Sequence, residues 1–415
     1  IKYYTRACNF YYGSISKEKI KKKLSLPLNG NDSISFDNIE IITRKFKKKI
    51  HIKEISNQKI NIKNKIKKDI KLIISKKKFK GLNFLDFPLL MGVVNLTPDS
   101  FSDGGKYNKE SSSFKHINYL IKKGCAIIDI GGESTRPGAK DVGKLAEWKR
   151  IKKTLEKTKK LNKFISLDTR KSWIMEKGIK NKVNLINDVS GLEYDPKTIN
   201  VLKKYKTSFV IHHMHGTPKN MQKNPKYKNV LLDIYDFFEK KIEQIRSLGI
   251  KHNNIILDPG IGFGKNLKHN MTIMSNISIF HSLGFPVMLG VSRKRFIKDI
   301  SGINDSSERL GGTISSALYA MSQGVQILRV HDVNEVNQAI KVFKYLNFSS
   351  EAGPKFASRA EMALRFNLSN EKIDCTVVGL AEISHLEQVI SATKAGPLSR
   401  DLLTQINLTP TCRTP

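Results

Sequence analysis

The chain of 415 residues carries 73 Lys and Arg against 37 Asp and Glu, a formal net charge of +36, and is 39% hydrophobic. That apolar fraction over that length excludes global disorder and suffices for one large domain or two to three ordinary ones. Cys8, Cys125, Cys375 and Cys412 form no close pair and no metal-ligand spacing, which argues against a disulfide framework or a zinc finger and for a reducing compartment. No run reaches the roughly eighteen apolar residues of a membrane helix, and the opening IKYYTRACNFYYG has no apolar segment behind its charges. A soluble, cytoplasmic protein with no membrane partner is expected.

Residues 1–80 hold 23 basic and 6 acidic side chains, residues 81–349 hold 43 and 24, and residues 350–415 hold 7 and 7. The excess is mostly Lys scattered among Ile and Asn. It lacks the Arg/aromatic interleaving on which bases stack, so it reads as a solvated surface and no nucleic-acid partner is expected. Within residues 1–80, alternating runs at 33–44 and 48–55 predict a small β-containing extension, followed by a Lys/Ile/Asn-rich stretch that is either helix or linker.

From Pro88 onward one unit recurs: a short β-branched apolar run, a loop rich in Gly, Pro, Asp or Ser, then a Lys-rich amphipathic stretch. The runs are PLLMGVVNL (88–96), AIIDIGG (126–132), ISLDT (165–169), NLINDVS (184–190), SFVIHHM (208–214), NIILDPG (254–260), PVMLGVS (286–292) and ILRVHD (327–332). Near-continuous apolar runs suit parallel strands buried on both faces, and the intervals are long enough for crossover helices. Eight such units predict an α/β fold, a (β/α)8 TIM barrel over residues 81–348, with the extension at 1–80 before it. A doubly wound sheet would place a glycine fingerprint after its first strand, where NLTPDSFSDGG stands instead. Residues 349–415 drop the Lys/Ile/Asn bias and form a separate C-terminal segment.

Polar residues cluster at the strand ends: Asn95, Asp129, Asp168, Asn187, His213, Asp258, Ser292, Arg329 and His331. One strand-end Asp is ordinarily a helix cap, but eight strands ending in hydrogen-bonding groups point to a site at the C-terminal mouth. The loop after the first strand, with Pro98, Gly104 and Gly105, is long and polar enough to act as a lid. The second loop, GGESTRPGA, sets Thr135 and Arg136 beside Pro137, and Arg136 offers a fork for a carboxylate or phosphate. Asp168, Asn187 and Asp258 suit a flat heterocycle with an amino-pyrimidinone edge, and Phe263 in PGIGFGK can cover a ring. Ser292, Arg293 and Lys294, with Arg329 and His331, form anion-handling groups. With Asn95 in the neighbouring first strand they suit a diphosphate and its Mg2+, a hard cation for which one protein oxygen is enough.

The motifs NLTPDSFSDGG, DIGGESTRPGA, SLDTRK, INDVSG, HHMHGTPKNMQKNPKY, DPGIGFGK, GVSRKRF and RVHDV, in that order, resemble dihydropteroate synthases over about residues 88–346. The resemblance implies a transferase of folate biosynthesis, the target of sulfonamides. It would condense 6-hydroxymethyl-7,8-dihydropterin diphosphate with 4-aminobenzoate, with Mg2+ as cofactor and a homodimer as the assembly. By motif position it implies pterin contacts at Asp168, Asn187, Asp258 and Lys294, with Met214 and Phe263 nearby. Diphosphate contacts fall at Asn95, Thr135, Arg329 and His331, with the metal at Asn95. Aminobenzoate contacts fall at Thr135, Arg136, Pro137, Phe263, Ser292 and Lys294. Asn95, Asp258, Lys294, Arg329 and His331 take the catalytic roles, stabilising the leaving anion and the cationic pterin.

Residues from about 350 to 400 resemble the C-terminal end of an aldo-keto reductase, without the rest of that barrel or its catalytic residues, so no reductase activity is expected. Two other functions compete with the synthase. A pterin-dependent methyltransferase would share the Asp/Asn contacts but needs neither the STRPG loop nor the RVH site. A non-catalytic paralogue binding polyanions through the net charge would have no use for a full set of mouth residues.

Overall fold

The computed structural model describes residues 1–97, 110–134, 138–139, 141–217, 220–222, 224–348, 359–370, 373, 375–379 and 383–398. Residues Ile1–Phe343 form one compact unit and Lys344–Pro415 a second.

The first unit begins with an antiparallel sheet. Strand β1 (Tyr4–Tyr12) and β2 (Leu26–Leu28) flank the long central β3 (Asn31–Ile42), which also pairs with β4 (Lys47–His51). The Lys/Ile/Asn-rich stretch becomes a helix, Ile60–Ile74, because its isoleucines recur at helical spacing and bury Ile66 and Ile73 on one face. Buried beside them, Asp69 accepts from Thr5 Oγ1 at 2.5 Å and from Lys65 Nζ at 2.8 Å, which ties the helix to β1. The sheet packs on the second half of the chain. Tyr4 and Arg44 donate to Asp236, Ser278 Oγ donates to the Ala7 carbonyl, and Tyr12 and Asn29 donate to the carbonyls of Ser322 and Gly324.

Eight parallel strands follow: β5 (Leu89–Asn95), β6 (Ile127–Gly131), β7 (Phe164–Asp168), β8 (Leu185–Asp188), β9 (Ser208–His212), β10 (Ile255–Asp258), β11 (Met288–Gly290) and β12 (Ile327–Val330). Their order is β10-β9-β8-β7-β6-β5-β12-β11, and a parallel bridge between Leu257 and Val287 joins the two ends. The fold is a TIM barrel, with every expected apolar run a strand. Between the strands lie helices such as Lys144–Thr158, whose Ile151, Thr154, Leu155 and Thr158 form the inward stripe.

Side chains inside the barrel stack in layers because the strand period is two. At the bottom Met91, Ile127, Leu185, Val210, Ile256, Met288 and Ile327 form an apolar layer, and Phe79 and Phe84 from the segment before β5 close it from below. Two residues further along the same strands, the layer above turns polar: Asp129, Asn187, His212, Asp258 and Arg329. The apolar floor carries stability and the polar layer faces the mouth.

The second unit contains two helices, Arg359–Leu368 and Ile383–Ala395. They are joined at their ends by Arg365 Nε donating to the Gly396 carbonyl at 2.9 Å and Leu398 N donating to Ser369 Oγ at 2.6 Å.

Candidate active site

Arg329 organises the polar layer. Its Nε donates to Asp129 Oδ2 at 2.7 Å and its Nη2 to Asp168 Oδ2 at 2.9 Å, while Asn187 Nδ2 donates to Asp129 Oδ2 at 3.2 Å. Four residues from strands β6, β7, β8 and β12 thus form one network, buried except for the half-buried guanidinium of Arg329. Asp129 Oδ1, Asp168 Oδ1 and Asn187 Oδ1 are buried and have no hydrogen-bond partner among the described residues. Burial pushes the Asp168 carboxyl up from its ordinary range; Arg329 pulls it down and Asp129 pushes it further up. The same two carboxylates outweigh burial at Arg329 and hold its guanidinium above its usual value.

Across the mouth, Asp258 Oδ1 accepts from the Gly260 amide at 2.8 Å. Burial raises its carboxyl, against the pull of Lys294. Burial pushes the Lys294 amine down to about 8 while Asp258 pulls it up. The Lys294 ammonium donates to the Ile261 carbonyl and lies 4.6 Å over the Phe263 ring, whose edge meets His212 at 4.7 Å between ring centroids. At the other side Ser292 Oγ accepts from the His331 amide at 3.2 Å and lies 3.1 Å from His331 Nδ1, joining the β11 and β12 loops.

The expected site residues therefore fall into two described groups, Asp168, Asn187 and Arg329 in one and Asp258, Phe263 and Lys294 in the other, with Ser292 and His331 paired beside them. Met214 is half-buried in the loop after β9, and Asn95 is half-buried at the end of β5. Thr135, Arg136 and Pro137, and the first-loop residues Pro98, Gly104 and Gly105, lie outside the described residues. Arg293 is committed elsewhere: its guanidinium grips the Asp332 carboxylate, with Nε at 2.9 Å from Oδ2.

Two features went beyond the sequence reading. Asp129, noted there only as one of the polar strand ends, stands at the centre of the network; a carboxylate interrupting the apolar run of a buried strand was the available signal. Alternation along β9 places His212 in the interior layer, while His213, singled out at the strand end, turns away and packs against Lys265 and Phe237. Burial drives both imidazoles well below their usual value, so both are neutral.

The stems of the second loop are fixed as well. Glu133 Oε1 accepts from the Val142 amide at 3.0 Å, from Arg170 Nη2 at 3.0 Å and from Lys171 Nζ at 2.9 Å. Lys171 also binds Glu147 at 2.8 Å. The segment carrying Thr135, Arg136 and Pro137 thus starts and ends at one buried carboxylate.

A family model described as "Pterin binding enzyme" matches residues 91–331. The chain belongs to the pterin binding enzyme family. Within it, the chain is similar to the dihydropteroate synthase of Neisseria meningitidis serogroup C, 40% identical over 268 residues that cover 64% of this chain and 95% of that protein. The Escherichia coli K12 dihydropteroate synthase is 39% identical over 259 residues, covering 62% and 91%. Among solved structures of the family, the Yersinia pestis dihydropteroate synthase with a sulfonamide drug superposes with a TM-score of 0.62 at 36% identity, covering 65% of this chain and 98% of that one. The Xanthomonas albilineans dihydropteroate synthase with 4-aminobenzoic acid gives 0.59 at 33%, covering 64% and 94%. The family match includes all of the polar layer, from Asp129 to Arg329.

Proposed function

We propose that the barrel mouth condenses 6-hydroxymethyl-7,8-dihydropterin diphosphate with 4-aminobenzoate, giving 7,8-dihydropteroate and diphosphate. The observation that carries this reading is the set of buried oxygens on Asp129, Asp168 and Asn187 that have no hydrogen-bond partner among the described residues. Leaving such atoms unpaired costs about 1–3 kcal/mol each, and a heterocycle with several N–H donors along one edge removes that cost. Relatives near 40% identity that act as dihydropteroate synthases support the same choice.

In the reaction the bond from the pterin methylene carbon to the diphosphate oxygen breaks, the bond to the aromatic nitrogen forms, and the amine releases one proton. Departure of diphosphate leaves positive charge on the dihydropterin, which the carboxylates of the polar layer stabilise. Asp168 and Asn187 hold the ring. Asp258 faces the developing cation, and Arg329 and His331 receive the leaving anion through donors on the mouth side. Phe263 and Lys294, with Ser292, form the wall against which the aminobenzoate lies, its carboxylate reached by Arg136 and its ring by Thr135 and Pro137. Orientation of two bound reactants supplies the remainder of the rate, and no covalent enzyme intermediate is involved.

Asn95 offers one neutral oxygen, and among the described residues no group of three or more His, Cys, Asp and Glu could hold a metal ion. That donor set fits a Mg2+ that arrives with the diphosphate and keeps most of its waters, not a resident metal centre. When bound, Mg2+ neutralises charge on the leaving group. Among the described residues no helix is long and apolar enough to cross a membrane. The reading places the enzyme in the cytoplasm as a homodimer, which sedimentation of the purified chain tests.

The deciding experiment is diphosphate release by purified protein supplied with the dihydropterin diphosphate, Mg2+ and 4-aminobenzoate. Release that requires the amine and is blocked by a sulfonamide is expected. A folded protein that releases none, with or without residues 349–415, overturns the reading.

A further inference from the structure

Lys265 is 2% exposed, lies outside the polar layer, and has no assigned part in the chemistry above. Its Nζ lies 3.0 Å from His213 Nδ1 and donates to the carbonyl oxygens of Phe263 at 2.9 Å and His213 at 3.3 Å. These partners belong to two different loops, the one after β9 and the one after β10. The loops run so close that a Cβ on Gly260 would stand 2.0 Å from the His213 carbonyl oxygen, and one on Gly264 would stand 2.5 Å from that of His215. Both glycines have positive φ, +70° and +65°, so neither backbone approach tolerates another residue. The close approach brings the amine of one loop to the carbonyl and ring of the other.

We infer that Lys265 is a positioning residue that clasps the β9 and β10 loops together and so fixes Phe263 at the aminobenzoate side of the mouth. The inference rests on the synthase reading. An ammonium has three donors and meets three acceptors here. A neutral amine donates to the two carbonyls and accepts from His213 Nδ1–H, so the clasp closes in either protonation state. Burial presses the amine well below its ordinary value while Asp258 pulls it upward, and the three contacts survive both tendencies. With all of its bonding used inside the protein, Nζ has nothing left for a substrate; its effect passes through the Phe263 carbonyl to the ring that sits between His212 and the Lys294 ammonium. Two further bonds brace the same loop, Gln222 Nε2 to the Gly262 carbonyl at 2.6 Å and Tyr227 Oη to the Gly264 carbonyl at 2.9 Å. Neither of them reaches the Phe263 carbonyl itself.

The test is steady-state kinetics of K265M, which replaces the four-carbon stem by an unbranched chain of four atoms and removes every donor. Ile66→Ala serves as a control: its side chain is fully buried in the extension helix, so it lowers the melting temperature without touching the mouth. The 4-aminobenzoate KM of K265M is expected to rise about tenfold, with the dihydropterin diphosphate KM changed by less than about twofold and the control unchanged in both. If K265M does not fold, K265Q takes its place; its amide keeps two donors on a shorter arm and is expected to give a smaller rise in the same KM. Unchanged aminobenzoate KM in a folded variant, or equal rises for both substrates, overturns the inference while leaving the synthase reading intact. Absence of turnover in the wild type overturns both.

Discussion

Arg329 and Asp168, 161 residues apart in the chain, are joined by a 2.9 Å hydrogen bond from Nη2 to Oδ2. The side chain suited to an anionic leaving group therefore also holds the carboxylate suited to the heterocycle. Replacing Arg329 by Met leaves Asp129 and Asp168 facing each other without a cation, and the cost falls on the ionised form. Burial already raises the folded-state value of Asp168, so its protonated form favours folding and that contribution fades as pH rises through the raised value. Without Arg329 the value rises further. Below about 8, where burial keeps Asp168 protonated in both proteins, the stability gap between wild type and R329M is expected to be constant, and above it, where only the wild-type carboxyl ionises, the gap is expected to widen, as urea unfolding at a series of pH values from about 6 to 10 would show. A gap independent of pH would refute the electrostatic account.

Lys294 titrates near the working range, its amine being pushed down to about 8. The burial cost of the ammonium is present below that value and relieved above it, so this group adds stability as pH rises from about 8 toward 10.5. Activity moves the opposite way if the ammonium meets the aminobenzoate carboxylate. The kcat/KM for 4-aminobenzoate is expected to fall on an alkaline limb with a midpoint near 8, and K294R should carry that limb upward by more than about one pH unit, because a guanidinium stays charged. An alkaline limb at the same place in K294R would assign it to another group.

Glu133 fastens both stems of the second loop to Arg170 and Lys171. Breaking a buried, hydrogen-bonded ion network by removing one partner costs about 3–5 kcal/mol. E133Q is expected to lose close to the lower figure in denaturant unfolding. Its aminobenzoate KM should rise more than its dihydropterin diphosphate KM, since Thr135, Arg136 and Pro137 lie between the stems.

Phe79 belongs to the floor of the barrel, opposite the mouth. Phe79→Ala should lower stability by about 3 kcal/mol through lost burial and the cavity left behind. Both substrate KM values should stay within about twofold of wild type when assayed well below the melting temperature.

The strands were legible because a buried parallel strand is a local pattern: each apolar run contains its own evidence, and the polar residues two steps along from the floor mark the mouth. The network was not local. Nothing near Asp129 announces that its carboxylate meets a guanidinium 200 residues away. Lys265 was hidden in plain composition, one more lysine in a chain with 73 basic residues. His212 and His213 were separable only by strand phase, which a run of adjacent histidines does not disclose. In the extension, β1 stayed unread because it is buried on both faces and Asn9, at φ 59°, interrupts its alternation.

The extension precedes the barrel in the chain, yet its fastenings lie at Asp236, Ser278, Ser322 and Gly324. A nascent chain that has released residues 1–75 holds the sheet and its helix but none of the surface they rest on. Contacts separated by that many residues are slow to form, and an unfinished apolar face waits exposed meanwhile. The extension thus completes its folding only after nearly the whole barrel has left the ribosome, and the lysine-rich outer surface of that segment helps keep it dispersed during the wait.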